Sequence, residues 1–372
     1  MTTGPETRWS RLIAGTVSGP LDRLALRGLS ALSVAYGAAL QVHQTAYRLG
    51  LARSRRLPAL VVSIGNITVG GTGKTATAIA VARRLSDKGR RVAVLSRGYR
   101  GSAEKQAVIV SEGFGPLVGA GVAGDEPYLM ARALPGVSIL VGKDRRQTGR
   151  IAIERLGANA LVLDDGFQYR RIAKDIEIVL VDALAPFGYD FLVPRGMLRE
   201  PPQNLARGDA IWITHSDLVR ESDLRALRER VQGYAPKARV YEARHAAVGL
   251  RSLDDGEALL PEVVRGQRVL ALSSIGNPAA FERTLQQIGA VVVDHARFPD
   301  HHAYRATEIQ QLLASRRGAA DMIVTTEKDA VRLPPESLNP QMWALEVELA
   351  GRVGAPPLSE ELDWLLAAEK QT

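Results

Sequence analysis

The chain of 372 residues, 46% of them hydrophobic, is longer than one core usually needs and predicts two globular domains. It contains no cysteine, which excludes a disulfide framework, a thiolate metal site and a cysteine nucleophile. The net charge of +8 is concentrated at the start: residues 1–56 hold Arg8, Arg11, Arg23, Arg27, Arg48, Arg53, Arg55 and Arg56 against Glu6 and Asp22, leaving +6 there. The remainder is nearly neutral and lacks the basic stripe with interleaved aromatics of a nucleic-acid binder.

Between Arg27 and Arg48 the stretch "GLSALSVAYGAALQVHQTAY" carries no formal charge and approaches the length of about 20 residues that spans a bilayer. Ser30, Ser33, Gly37, Gln41, Gln44 and Arg48 recur at three- and four-residue intervals, however, so weakly polar groups line one helical face and Leu29, Leu32, Tyr36, Leu40 and Tyr47 lie elsewhere. This predicts a helix lying in a membrane interface; packing on the protein's own core is the alternative. The arginines favour the interface, since anionic headgroups reward each by about 1 kcal/mol near the surface. The apolar stretch begins too late for a secretory signal, so export is not expected.

From Pro58 short apolar runs alternate with helical ones. "ALVVSIGNI" reads as a buried strand, 74–87 as a helix, "RVAVLS" as a strand, 125–134 as a helix, "VSILVG" as a strand, 144–156 as a helix and "ALVLDDG" as a strand; "IEIVLVDA" and "DAIWITH" follow. Continuously apolar strands separated by helices imply a mostly parallel sheet covered on both faces. After a helix near 222–232, "ARVYEARHAAVGLRSL" alternates like an extended connector. A second α/β series then runs through "RVLALSS", a helix at 279–288, "AVVVDHARF", a helix at 307–316, "DMIVTTEKD" and "MWALEVEL". The expected division is 1–56 as a membrane-associating helical segment, 57–235 as a core domain, and 236–372 as a smaller lid domain with a C-terminal helix.

The strand at 60–64, the glycine-rich 65–73 and the helix from 74 supply the context of a phosphate-binding loop, "GNITVGGTGKT". Residues Thr68, Val69, Gly70, Gly71, Thr72, Gly73, Lys74 and Thr75 form the expected nucleotide site. Glycine amides curl around phosphate oxygens, Lys74 reaches the β and γ phosphates, and the Thr75 hydroxyl suits Mg²⁺. Thr68 replaces the first glycine of the usual pattern, which a β-branched residue tolerates where φ is negative. A P-loop also needs a carboxylate at a neighbouring strand end, and Asp164 and Asp165 supply two candidates. An Asp-Asp-Gly turn that merely closes a strand is the simpler reading of the same residues, and which of the two serves the metal stays open. No Asn-Lys-x-Asp element marks guanine recognition, so a GTPase switch is not expected.

"LSRGYRG", "GDEP" and "VGKDRR" fall at strand ends or helix starts, the edge where open α/β sheets bind ligands. Together with "GNITVGGTGKT", "LDDGFQYR", "VPRGMLREP" and "FPDHHAY", these motifs resemble the lipid A 4'-kinase family (tetraacyldisaccharide 4'-kinases) from the N-terminal helix to about residue 332. The family's loop shares the Thr68 departure; Ala76 stands where a proline is often found. The resemblance implies transfer of the ATP γ-phosphate to the 4'-hydroxyl of a tetraacylated disaccharide 1-phosphate, with Mg²⁺, at the cytoplasmic face of the bacterial inner membrane, and with no obligate protein partner.

The transfer needs a carboxylate to take or orient the hydroxyl proton, and Asp125 is the candidate. An aspartate opening a helix is also an ordinary N-cap. The resemblance pairs His301, or its neighbour His302, with Asp125 on closure of the domains, and places Glu200 near Mg²⁺, although a glutamate before proline is usually just solvated. Ser96, Arg97, Arg100, Arg145, Gln168 and Arg171 are the expected contacts to the sugar and its 1-phosphate. Two other readings stand beside this one: a P-loop enzyme acting on a soluble metabolite, indifferent to loss of residues 1–52, and a nucleotide-gated membrane-binding module, which would survive Asp125→Ala.

Overall fold

The computed structural model describes residues 8–16, 19–316 and 318–367; Glu6, the rest of 1–7 and the end of the second expected domain at 368–372 lie outside them. A short helix α1 (Arg8–Ile13) precedes the long α2 (Pro20–Arg48). Strands β1 (Leu60–Asn66), β2 (Val92–Ser96), β3 (Val108–Glu112), β4 (Ser138–Val141), β5 (Ala160–Leu163), β6 (Ile176–Asp182) and β7 (Ala210–Thr214) then alternate with α3 (Lys74–Asp87), α4 (Ala120–Ala123), α5 (Asp125–Ala133) and α6 (Arg145–Leu156). Helix α7 (Glu221–Tyr234) leads to the long β8 (Arg239–Ser252), followed by β9 (Ala258–Leu259), β10 (Arg268–Ser273), α8 (Pro278–Gln287), β11 (Val291–Arg297) and α9 (Ala306–Ser315). Strand β12 (Met322–Thr326), α10 (Glu327–Ala330), β13 (Met342–Gly351) and α11 (Leu358–Ala367) complete the chain.

The strands form one sheet of order β11-β10-β12-β13-β8-β7-β6-β1-β5-β2-β4-β3, with β9 beside β8. Pairing is parallel from β2 through β7 to the start of β8, as the apolar runs required, and parallel again from β13 to β11. The "extended connector" is therefore a strand: Arg239–Glu242 pair with β7, and Ala243–Ser252 pair antiparallel with β13. Sequence reading missed β3, an antiparallel edge strand of modest apolar content. The C-terminal helix, expected with the second unit, packs on both β13 and α3. Leu362 and Leu365 join the first core, and Asp363 holds Arg84 at 2.5 Å and Lys88 at 2.9 Å.

Helix α2 lies on the body through part of its polar row. The Ser33 hydroxyl donates to Leu192 O (2.8 Å) and accepts from Arg195 N–H (3.0 Å), Gln44 Nε2 donates to Glu200 Oε2 (3.2 Å), and Tyr36 Oη donates to Arg199 O (2.9 Å). The opposite side carries Leu21, Leu24, Leu32, Val34 and Val42, each between 59% and 74% exposed. Polar groups find backbone partners on the 192–200 loop, so the helix turns its apolar side outward, the reverse of a soluble amphipathic helix. Among the described residues, no helix is long and apolar enough to cross a membrane.

Candidate active site

The sheet's carboxyl edge opens into a cleft of about 850 Å³ between the two halves. Its floor is the glycine loop joining β1 to α3. Gly65 enters that loop where no side chain fits, since an added Cβ would lie 2.5 Å from Phe167 Cβ, and Gly73 takes φ +87° immediately before α3. Thr68 is absent from the left-handed region and forms an antiparallel bridge to Leu198, so its β-branch costs nothing. The side chains of Thr68 and Thr72 turn to Asn66 Nδ2, at 3.4 and 3.0 Å, and brace the loop from behind. Val69, Gly70, Gly71, Gly73, Lys74 and Thr75 line the cleft. Lys74 Nζ sits 3.3 Å from Asn66 Oδ1 and 3.7 Å from Asp165 Oδ1, at the N-terminus of α3 where an anion is favoured.

Asp164 and Asp165 close β5 as expected, in different environments. Asp165 takes φ +50° and accepts both 2.9 and 3.0 Å bonds from Arg199 Nη1. Burial works against its charge, but Lys74 and Arg199 outweigh it and keep the carboxyl below its ordinary range. Asp164 is buried, accepts from Ser96 Oγ at 2.9 Å through Oδ2, and has no protein partner at Oδ1 among the described residues. Burial, with the charges of Glu126 and Asp165, pushes it up to about 6.

Asp125 opens α5, but the N-cap is Gly124 and no side-chain cap bond forms, so the aspartate's carboxylate is free to face the cleft. Across it, His301 Nδ1 lies 3.4 Å from Asp125 Oδ2. His302 instead meets Glu308 at 2.8 Å, which separates the roles of the two histidines. Ser96, Arg97, Arg100, Arg145 and Gln168 all line the cleft. Arg97 is paired with Glu104 (2.5 Å), Arg100 Nη1 donates to His301 O (3.0 Å), buried Arg145 donates to Asp164 O (3.0 Å), and Gln168 Nε2 donates to Asn66 O (2.9 Å).

Besides Thr68 and Thr72, whose side chains turn behind the loop, two expected residues are not brought to the cleft. Glu200 is buried behind it, where Arg207 (2.8 and 3.2 Å), Asn204 (2.6 Å) and Gln44 occupy its oxygens, because the 3-10 turn at Pro202–Arg207 folds its cation back. Arg171 is exposed and outside the lining. Sequence reading missed Glu126, Arg199, Lys328 and Arg332. Lys328, from the second half, pairs with Glu126 beside Asp125; burial opposes the Glu126 charge, but this ammonium outweighs it and holds the carboxyl at about 2. The signal was present in "GDEP" and "TTEKDAVR", but only the first acid of one was used, and the other was read as a strand end.

A strand, a glycine loop, a helix-borne lysine and facing carboxylates at a parallel sheet's edge define a P-loop phosphotransferase. The profile of the tetraacyldisaccharide-1-P 4'-kinase (LpxK) family matches residues 25–366, and the chain belongs to that family. The tetraacyldisaccharide 4'-kinase of Anaeromyxobacter dehalogenans (strain 2CP-C) is 48% identical over 319 residues, covering 85% of this chain and 84% of that protein. That of Geobacter metallireducens is 42% identical over 316 residues, covering 85% and 90%. The crystal structure of LpxK from Aquifex aeolicus, in complex with ATP, is similar with a TM-score of 0.72 at 29% identity, over 92% of this chain and 99% of that one.

Proposed function

We propose that this protein transfers the γ-phosphate of Mg²⁺-ATP to the 4'-hydroxyl of a tetraacyldisaccharide 1-phosphate on the cytoplasmic face of the inner membrane. The observation that carries the reading is that a lysine-bearing phosphate loop and Asp125, met by His301 from the second half, line one cleft. Loop amides and Lys74 hold the β and γ phosphates. The 4'-oxygen attacks the γ-phosphorus, its proton passes to Asp125, and the bond to the β–γ bridging oxygen breaks with its electron pair leaving on ADP. His301 orients the carboxylate; Ser96, Arg97, Arg100, Arg145 and Gln168 bind the sugar and its 1-phosphate. Purified protein with labelled ATP and a detergent-dispersed tetraacyl disaccharide 1-phosphate should yield a bisphosphorylated lipid. No product across a range of Mg²⁺ and detergent would shift the reading to a kinase of soluble metabolites.

The residues fit a divalent cation. Asp164 has an orphaned buried oxygen and a raised carboxyl, as an acidic pocket has without its counter-charge, and Thr75, the second residue of α3, lines the same cleft. Asp164 and Thr75 would hold the ion, which when bound would supply positive charge against the transferring group. Because the folded carboxyl of Asp164 binds its proton more tightly than an unfolded one, it removes stability as pH rises from about 4 through about 6. Asp164→Asn without nucleotide should therefore melt above the parent at pH 8, about level with it near pH 4, and lose activity. An unchanged melting difference across pH would remove this account.

The outward apolar side of α2 and the arginines around it support peripheral membrane contact. Burying a Leu or Val side chain gives about 1.5–3 kcal/mol, so Leu24→Glu with Val42→Glu should reduce partition onto anionic vesicles by about 100-fold or more. Both residues are exposed, and the melting temperature should not move. Full co-sedimentation of the double variant would place the membrane contact elsewhere.

A further inference from the structure

Asp125 receives a second group from across the cleft. Arg332 Nε lies 3.1 Å from Asp125 Oδ2, the same oxygen that His301 meets. Both arms hang from Ser274, the residue that follows β10. The His301 N–H donates to Ser274 O (3.1 Å), and Arg332 Nη1 donates to Ser274 Oγ (2.8 Å). Ser274 is fixed in turn by the fully buried Asp329, which accepts its N–H (3.0 Å) and hydroxyl (2.5 Å), along with the hydroxyls of Thr326 (2.7 Å) and Tyr304 (3.1 Å). Asp329 is thus supplied with donors without Arg332, whose Nη2 stands 3.5 Å away while Nε donates its N–H to Lys328 O (3.2 Å) and keeps its charge in ion-pair contact with Asp125.

We infer that Arg332 is a positioning residue for Asp125: with His301 it occupies Oδ2 and turns Oδ1 to the acceptor hydroxyl. Among the described residues no donor reaches Oδ1. The second half of the chain therefore sets the orientation of a carboxylate carried by the first, through one anchor shared by two arms. A fixed guanidinium is suited to this, because its planar fork holds Ser274 and Asp125 at once in one geometry. The inference rests on the reading of Asp125 as the proton acceptor.

The test uses the full chain with Mg²⁺-ATP and detergent-dispersed tetraacyl disaccharide 1-phosphate. Arg332→Gln should lower kcat by at least about tenfold with KM for ATP within about threefold, since the contact acts on the reacting carboxylate and not on nucleotide. Arg332→Lys should recover part of the loss. In an Asp125→Asn background, measured by long end-point assay, Arg332→Gln should cost no more than about twofold further, because the group it positions is gone. Ser274→Ala, which keeps the carbonyl for His301 and removes the hydroxyl that Arg332 Nη1 and Asp329 share, should give a smaller loss with the same dependence on Asp125, and it stands in should Arg332→Gln not fold. Parental kcat in Arg332→Gln, or a full repeat of its loss on Asp125→Asn, overturns the inference. Parental kcat in Asp125→Asn alone sinks instead the reading on which it rests.

Discussion

Asp125→Asn is expected to lower kcat by about 100- to 10,000-fold, the range that a positioned general base supplies, with KM for ATP within about threefold. The substitution isolates proton transfer because the amide can keep its oxygen where Oδ2 now meets His301 and Arg332. That orientation puts –NH₂ where Oδ1 faces the acceptor, and an amide nitrogen cannot take the hydroxyl's proton. Calorimetry with a non-hydrolysable ATP analogue should give a parental heat of binding, since Asp125 stands on α5, outside the glycine loop that holds the phosphates. Phosphorylation of lipid at the parental rate would remove Asp125 from the chemistry.

How much of this was legible depended on the range of the interactions. The P-loop, the parallel strands and helix α3 follow from patterns within about ten residues, and α3 begins and ends at Lys74 and Asp87, where the periodicity put it. What sequence could not show was long-range pairing. Lys328 and Glu126 lie 202 positions apart, and no local pattern ties the arginine of "TTEKDAVR" to the aspartate of "GDEP". Glu200 illustrates the opposite failure. The resemblance put it near the metal, but a cation seven residues on, returned by a 3-10 turn, takes both its oxygens. The outward apolar side of α2 was half legible: Ser33 and Gln44 of the expected polar row face the protein, but Gln41 and Arg48 are exposed, and Leu29, Tyr36, Leu40 and Tyr47 are half-buried beside the row.

Lys74→Ala carries the other large effect and the opposite kinetic signature. Its ammonium is largely buried, and it is the cation that the loop itself offers to the phosphates. Charge on the transferring group grows toward the transition state, so removing the lysine should weaken nucleotide binding and also lower kcat. Loss of one such preorganised donor typically costs about 100- to 1,000-fold in kcat, and KM for ATP should rise as well. The fold should survive, because Asp165 keeps both bonds from Arg199 when Lys74 is gone. Lys74→Arg should rescue poorly: the pocket between Asn66 and Asp165 holds a compact point charge, and a planar guanidinium needs more width. Calorimetry separates the two wall residues, since Asp125→Asn retains the heat of ATP-analogue binding and Lys74→Ala loses most of it. A parental binding heat in Lys74→Ala would mean that the glycine loop does not enclose the triphosphate, and the functional reading built on it would fall.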